Sequence, residues 1–143
     1  MGIPVICGYR SELFYRGLSE CLVSNGTVLY EFLGLASYSL DLKYMIKRVQ
    51  PSIVITSTLY DGWPLTWLLE MRDKLYPQMK IVVLTFNMDE KLMEEAKDLG
   101  VDGYLYKSDS CEEIHECLRL VISGKKYIKA FIPTNPGKKD QLH

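Results

Sequence analysis

Short β-branched segments alternate with longer segments of helical period along the first 124 residues. Five apolar runs predict strands, over residues 3–7, 28–34, 52–56, 80–85 and 103–106. Between and after these runs, apolar side chains recur every three or four positions, which predicts helices within residues 11–26, 40–49, 65–76, 89–100 and 110–124. Strands that are apolar on both faces indicate a parallel sheet covered on each side by helices, so we expect a doubly wound α/β domain.

The predicted helices carry their own start and stop signals. Asn25-Gly26 stops the first, Pro51 ends the second, and Pro64 fits the first turn of the third, where its missing N–H has no partner to lose. Ser110 and Glu113 match a capping box at the start of the fifth. The face of the first helix that we predict to be buried contains Leu13, Phe14, Gly17, Leu18, Cys21 and Leu22.

The pattern of strands and helices stops after Gly124. The remaining residues include two prolines, a glycine, five lysines and a single acid, a composition typical of a linker or tail. We therefore expect one α/β domain over residues 1–128 and a linker or tail over residues 129–143.

Composition narrows the class of protein. The chain is 48% hydrophobic and 24% charged, as globular domains are, and its formal net charge of −1 gives no general attraction to nucleic acid. We predict no membrane span, and because the N-terminus enters a strand pattern at once we expect a cytoplasmic protein. The four cysteines lack the spacing of a disulfide framework and are predicted to be free thiols.

The fold class also predicts where a site should lie. In a doubly wound sheet the crevice lies outside the carboxyl ends of the strands, at the switch point between the first and third strands. The residues placed there are Gly8, Tyr9, Arg10, Ser11, Ser57, Thr58, Leu59, Thr85, Phe86, Lys107 and Ser108. They combine two cations, several hydroxyls and aromatic rings, with no carboxylate among them.

Several segments resemble the receiver domain of bacterial response regulators, in the subfamily that precedes a LuxR/NarL-type helix-turn-helix. These are SELFYRGL after the first strand, PQMKIVVLT, and LGVDGYLYKSDSCEEIHECLRLVISGKKYI, with GVDGYLYK the most specific. The resemblance implies a five-stranded (βα)5 flavodoxin-like sheet of order 2-1-3-4-5. It also implies switch positions at Thr85 and Tyr104 and a pocket lysine at Lys107.

The chain departs from that family where receivers carry out phosphorylation. The acidic pair that holds Mg²⁺ in receivers falls on Tyr9 and Arg10, and the phospho-acceptor aspartate falls on Ser57. Aspartyl phosphorylation needs a carboxylate nucleophile and a cation held by carboxylates, and a serine is a poor nucleophile without a base. We expect no metal in this degenerate pocket, because Arg10 would place its charge where the metal sits.

Two interpretations of the pocket remain open. In one, its side chains close it, with Asp61 pairing with Arg10 or Lys107. In the other, Arg10, Ser57, Thr58 and Lys107, with Thr85, bind a small anion such as a phosphate or a carboxylate metabolite. A stand-alone ligand-binding domain would use the pocket in this second way.

Other features support weaker hypotheses. Cys7 next to Arg10 suggests a redox thiol, although a buried structural cysteine is favoured. Cys111 and His115 have the spacing of two metal ligands on one helix, but two ligands do not make a site. FMN binding and hydrolysis by Ser57 or Cys7 are disfavoured, and Trp63 is a candidate exposed contact.

The sequence therefore predicts an atypical, phosphorylation-independent receiver domain of a transcription regulator. We expect neither an enzyme nor a cofactor. Homodimer contacts are predicted on the face formed by the fourth helix, fifth strand and fifth helix. DNA contact is expected only through an output domain that these 143 residues do not contain.

Overall fold

The computed structural model describes residues 2–24, 30–57, 65–86, 88–107 and 109–129. Strands and helices alternate along these residues, as the sequence predicts. The strands are β1 (Ile3–Gly8), β2 (Tyr30–Ala36), β3 (Ile53–Thr56), β4 (Lys80–Thr85), β5 (Gly103–Tyr106) and β6 (Tyr127–Ile128). The helices are α1 (Glu12–Ser24), α2 (Ser39–Val49), α3 (Leu65–Leu75), α4 (Glu90–Leu99) and α5 (Cys111–Ile122).

All the strands pair in parallel in one sheet of order β2-β1-β3-β4-β5-β6. The predicted order 2-1-3-4-5 is therefore confirmed, but the prediction of five strands is wrong. The backbone N–H of Tyr127 donates to the carbonyl of Asp102 at 2.9 Å, and that of Lys129 donates to Tyr104 at 3.0 Å. These bonds make Tyr127–Ile128, at the end of the predicted domain, a sixth strand along the edge of β5.

Helices cover both faces of the sheet with separate apolar layers. One layer packs α2, α3 and α4 against the sheet through residues such as Leu42, Ile46, Leu68 and Met93. The other packs α1 and α5, through residues such as Leu18, Leu22, Ile114 and Leu118. The predicted buried face of α1 is correct for Leu18 and Leu22 but wrong for Leu13, whose side chain is 83% exposed.

The start of α5 confirms half of the predicted capping box. The Ser110 hydroxyl accepts a hydrogen bond from the backbone N–H of Glu113 at 3.1 Å. The Glu113 carboxylate accepts instead from the Tyr127 hydroxyl at 3.0 Å and from the Lys129 ammonium at 3.1 Å. The residue expected to cap the helix therefore holds β6 in place.

The prediction of four free thiols is wrong for two of the cysteines. Cys21 of α1 and Cys111 of α5 form a disulfide, with Cα atoms 5.9 Å apart and a sequence separation of 90. Cys7 and Cys117 are buried free thiols. The fold brings α1 and α5 side by side on one face of the sheet, which cysteine spacing along the chain does not reveal.

In the part of the chain that the structure describes, no helix has the length and apolar character of a membrane span.

Candidate functional site

The carboxyl ends of four strands meet at the predicted crevice. Gly8 of β1 pairs with Thr56 of β3, and Thr85 of β4 pairs with Tyr106 of β5. The residues that follow these ends lie at the same edge of the sheet: Tyr9, Ser57, Phe86 and Lys107. The fold therefore brings the predicted pocket residues to one place.

Tyr9 is buried and contacts the backbone of two neighbouring strands. Its side chain is 2% exposed, and its hydroxyl lies 3.1 Å from the carbonyl oxygen of Thr56 and within hydrogen-bond distance of that of Leu84. Burial raises the pKa of Tyr9 well above its ordinary value, so the phenol stays protonated and remains a donor. Tyr9 is therefore a neutral donor to the backbone carbonyls of β3 and β4.

Lys107 is enclosed by aromatic rings. Its ammonium nitrogen lies 4.5 Å from the ring centroid of Tyr9, 4.2 Å from that of Phe14 and 4.4 Å from that of Phe86. Each ring attracts the cation through its electron-rich face. Desolvation lowers the pKa of Lys107, which is the cost of holding the charge in this cage. Tyr9, Phe14 and Phe86 together form an aromatic cage around the Lys107 ammonium.

Arg10 lies over an aromatic ring that is not part of the cage. Its side chain is exposed, and its guanidinium carbon is 5.8 Å from the ring centroid of Tyr38, at the carboxyl end of β2. The ring over which Arg10 lies is not one of the three rings around Lys107, and the predicted convergence of the two cations stays a prediction. The predicted partner of these cations, Asp61, lies outside the described residues.

The hydroxyls of the site have unequal exposure. Thr85 is buried at the end of β4, and its carbonyl accepts from the backbone N–H of Lys107 at 2.9 Å. Ser57 is half-buried directly after β3. Thr56 is fully buried, with its hydroxyl 3.3 Å from the carbonyl oxygen of Gly8. Thr58, Ser108 and Trp63 lie outside the described residues.

Tyr104 fills the core beneath the site. It is fully buried and packs edge to face on Tyr106, with ring centroids 5.9 Å apart. Its hydroxyl has no hydrogen-bond partner among the residues that the structure describes. Burial raises the pKa of Tyr104 to about 12. Its role as a switch, like that of Thr85, stays a prediction.

Tyr9 and Phe86 were predicted to lie in the crevice, but Phe14, the third residue of the cage, was not. The helical pattern assigned it to the buried face of α1, whereas its ring contacts Tyr9 at a centroid distance of 5.0 Å and Phe86 at 6.4 Å. The available signal was its position four residues after Arg10, in the first turn of a helix that leaves the crevice.

Metal and thiol chemistry find little support in the described part of the chain. No cluster of three or more His, Cys, Asp and Glu side chains there has the arrangement of a metal site. Cys7 is fully buried, and desolvation raises the pKa of its thiol. The prediction that Cys7 is a buried cysteine is therefore confirmed, and its redox role stays a hypothesis.

Comparison with known proteins gives related sequences and folds. The chain matches no family model. The response regulator protein VraR of Staphylococcus epidermidis is 26% identical over 125 residues, which cover 87% of this chain and 59% of VraR. The chain thus spans less than two thirds of that relative's length.

Two solved structures share the fold. A DNA-binding response regulator of the LuxR family from Staphylococcus aureus is 22% identical, with a TM-score of 0.74, over 84% of this chain and 98% of the other. A structure of two RcsB dimers bound to two parallel DNAs is 18% identical, with a TM-score of 0.79, over 99% of this chain and 75% of the other. At these identities the structures establish the fold alone.

Proposed function

We propose that this chain, a receiver domain of the LuxR/NarL-type response regulators, performs its regulatory role without phosphorylation. The observation that carries the proposal is the enclosure of Lys107 in the aromatic cage. An ammonium that binds three rings is not directed at a phosphoryl group. A phosphoryl group would have to displace those rings and would find no carboxylate among the described residues directly after β1 and β3 to form its covalent bond.

The rest of the pocket supports the same proposal. The described residues directly after β1 and β3 are Tyr9, Arg10 and Ser57, and these include no carboxylate. A divalent cation such as Mg²⁺ requires oxygen ligands, mostly from carboxylates. The Tyr9 hydroxyl instead donates to the sheet. The pocket then serves as a fixed joint between β1, β3 and β4, and the ring contacts of Lys107 compete with any anion for its charge.

Mg²⁺ with acetyl phosphate or beryllofluoride provides the direct test. We expect no Mg²⁺-dependent change in the amide spectrum around Ser57, Thr85 and Lys107, because neither the acceptor nor the metal ligands are present. The measurement is two-dimensional NMR of the labelled chain, with a receiver that retains its aspartates as the positive control under the same conditions.

The contrary result is equally specific. A Mg²⁺-dependent shift centred on Ser57, abolished by Ser57→Ala, would overturn the proposal. A shift with inorganic phosphate that needs no Mg²⁺ and is abolished by Lys107→Met would favour the anion-binding alternative instead.

We propose that the domain acts by forming a homodimer, which positions DNA-binding units next to each other. The RcsB structure contains dimers on DNA, and the Staphylococcus aureus structure is of a DNA-binding response regulator. The net charge of −1 gives the receiver no general attraction to DNA. We therefore assign DNA contact to an output domain outside the receiver fold, and the cytoplasm as the compartment where such a regulator meets DNA.

The structure adds one strand to the predicted dimer face. β6 pairs with β5 at the edge of the sheet, so the exposed edge of the sheet is now β6. The surface between α4 and α5 now includes the β6 segment, whose Lys125 and Lys126 are exposed. Lys126 also contacts the carbonyl of Gly100 at the end of α4, at 3.1 Å. Glu94 and Glu95 of the same helix α4 are exposed. Acids next to bases suit a two-fold interface, in which each patch meets the opposite patch of the partner.

Charge reversal on α4 tests this face. We expect Glu94→Lys with Glu95→Lys to weaken self-association by about tenfold, equivalent to about 1.4 kcal/mol, because like charges then meet across the interface. Sedimentation equilibrium over a range of concentrations measures the effect. Lys47→Glu with Arg48→Glu, on the exposed face of α2, is the matched control and should leave the dissociation constant unchanged.

Two outcomes would count against the dimer proposal. One is a wild-type chain that stays monomeric at every concentration. The other is a loss of association in the α2 control that equals the loss in the α4 variant, which would indicate a different surface. Neither outcome bears on the phosphorylation test.

A further inference from the structure

We infer that Cys21 and Cys111 form a redox-active pair, which exchanges with low-molecular-weight thiols and disulfides of the glutathione class. The inference goes beyond the proposed function and does not depend on it. It rests on where the two sulfur atoms lie, what surrounds them and how they differ from the other two cysteines.

The disulfide lies within reach of a small reagent. Cys21 and Cys111 are both half-buried, and their Cα separation of 5.9 Å lies within the ordinary range for a disulfide. The bond joins α1 to the first residue of α5. A glutathione sulfur can therefore approach from solvent without unfolding of the domain.

The other two cysteines cannot take part in such an exchange. Cys7 and Cys117 are both fully buried in the layer beneath α1 and α5. Desolvation raises the pKa of Cys117 to about 12 and that of Cys7 further still, so the reactive thiolate is scarce at both. The chain thus carries an accessible pair and an inaccessible pair, and the second is an internal control.

The fold does not need the bond to hold its helices. Leu18 and Leu22 anchor α1 in the core, and Ile114 and Leu118 anchor α5 in the same layer. A domain of this size buries enough apolar surface to fold without a covalent link. A link that the fold does not require, between accessible sulfurs, can open and close.

The surroundings also suit the reduced state. The Cys111 sulfur lies 3.1 Å from the backbone carbonyl oxygen of Cys21, so a thiol there has an acceptor in place. His115 reaches the same oxygen with Nε2 at 3.3 Å. The backbone carbonyl oxygen of Cys21 is thus the acceptor that a Cys111 thiol would have, and His115 contacts the same oxygen.

The exchange balances in atoms and electrons. The thiolate of Cys111, at the N-terminus of α5, where free N–H groups favour negative charge, attacks one sulfur of oxidised glutathione. That S–S bond breaks and one glutathione leaves as a thiolate. The thiolate of Cys21 then attacks the Cys111 sulfur and expels the second glutathione. Two protons pass from the protein thiols to the two glutathiones, and two electrons pass to the glutathione disulfide.

The test equilibrates the folded chain with mixtures of reduced and oxidised glutathione at millimolar concentration. Free thiols are then blocked with iodoacetamide under native conditions and counted by mass spectrometry of peptides. We expect Cys21 and Cys111 to be alkylated together, with one midpoint, as the reduced fraction rises, while Cys7 and Cys117 stay unmodified. Far-UV circular dichroism should remain native throughout the titration.

Single-serine variants complete the test. In Cys21→Ser or Cys111→Ser, the remaining accessible thiol should form a mixed disulfide with glutathione. The inference is overturned if millimolar reduced glutathione leaves the native bond intact while it reduces the unfolded chain. It is also overturned if oxidised glutathione never joins the pair, or if Cys7 or Cys117 reacts as readily.

Discussion

Replacing Asp102 with alanine is expected to lower the free energy of unfolding by about 3–5 kcal/mol, as breaking one side of a buried ion pair does. One carboxylate oxygen of Asp102 accepts from the Arg72 guanidinium at 2.8 Å and from the backbone N–H of Ile81 at 2.9 Å. The side chains of Asp102 and Arg72 are 10% and 12% exposed. The variant leaves a buried cation and a buried N–H without this acceptor. Urea unfolding followed by circular dichroism measures the loss.

Asp73 offers a matched control because it contacts the same guanidinium. Its carboxylate lies 2.7 Å from Arg72 Nε, but its side chain is 66% exposed. Asp73→Ala should therefore cost no more than about 1 kcal/mol, as for exposed ion pairs. Equal losses in the two variants would mean that burial is not what gives the Asp102 pair its strength, and would contradict the prediction.

The strands of the core were predictable because burial imposes a simple pattern. The run at residues 80–85 coincides with β4, and the run at 103–106 coincides with β5, since both are apolar and end at polar or charged residues. β6 was not predictable in the same way. It has two residues beside lysines, and its strand geometry comes from pairing with β5 and from the contacts of Lys129 with Asp109 and Glu113.

The site was predictable in position but not in arrangement. In a doubly wound sheet the site lies at the carboxyl ends of the strands, which all meet at one edge. This rule placed Tyr9, Phe86 and Lys107 together. It could not predict that the rings would enclose the lysine, since that depends on the turn of α1 that directs Phe14. It also could not direct Arg10 toward Tyr38. Side-chain direction at a crevice is set by packing, which a sequence pattern does not contain.

The Cys21–Cys111 disulfide shows the same limit at longer range. The sequence contains four cysteines in 143 residues, too few for a disulfide framework to be read from spacing. The pairing follows from a tertiary fact: α1 and α5 are neighbours on one face of the sheet. Periodicity predicted both helices, but only their packing brings these two sulfurs together.

Raising the pH is expected to unfold the domain cooperatively, because four buried acidic groups keep their protons when folded. Desolvation raises the pKa of Cys117 from 9.0 to about 12 and that of Tyr104 from 10.0 to about 12. It also raises the pKa of Cys7 and of Tyr9. In the unfolded chain the thiols lose protons above about pH 9 and the phenols above about pH 10. The unfolded state then binds fewer protons than the native state, so stability falls as pH rises.

The magnitude follows from the same linkage. Each group that ionises only in the unfolded chain removes about 1.4 kcal/mol per pH unit. The stability is fully present below about pH 9 and is lost as the pH rises toward the raised folded-state pKa values, which are about 12 for Cys117 and Tyr104. Because the contributions of the thiols and phenols add, we expect a stability of ordinary size to be exhausted between about pH 10.5 and 12. Urea unfolding at successive pH values measures the slope, and tyrosinate absorbance should appear together with the loss of circular dichroism.

Cys117→Ala separates this linkage from general alkaline damage. The variant removes one buried thiol, so its stability should fall less steeply between about pH 9 and 11, by about 1.4 kcal/mol per pH unit, even though the lost side chain lowers its stability at neutral pH. An unchanged slope would show that Cys117 ionises equally in both states. Early tyrosinate absorbance in a still-folded chain would likewise show that Tyr9 and Tyr104 are not held neutral by the core.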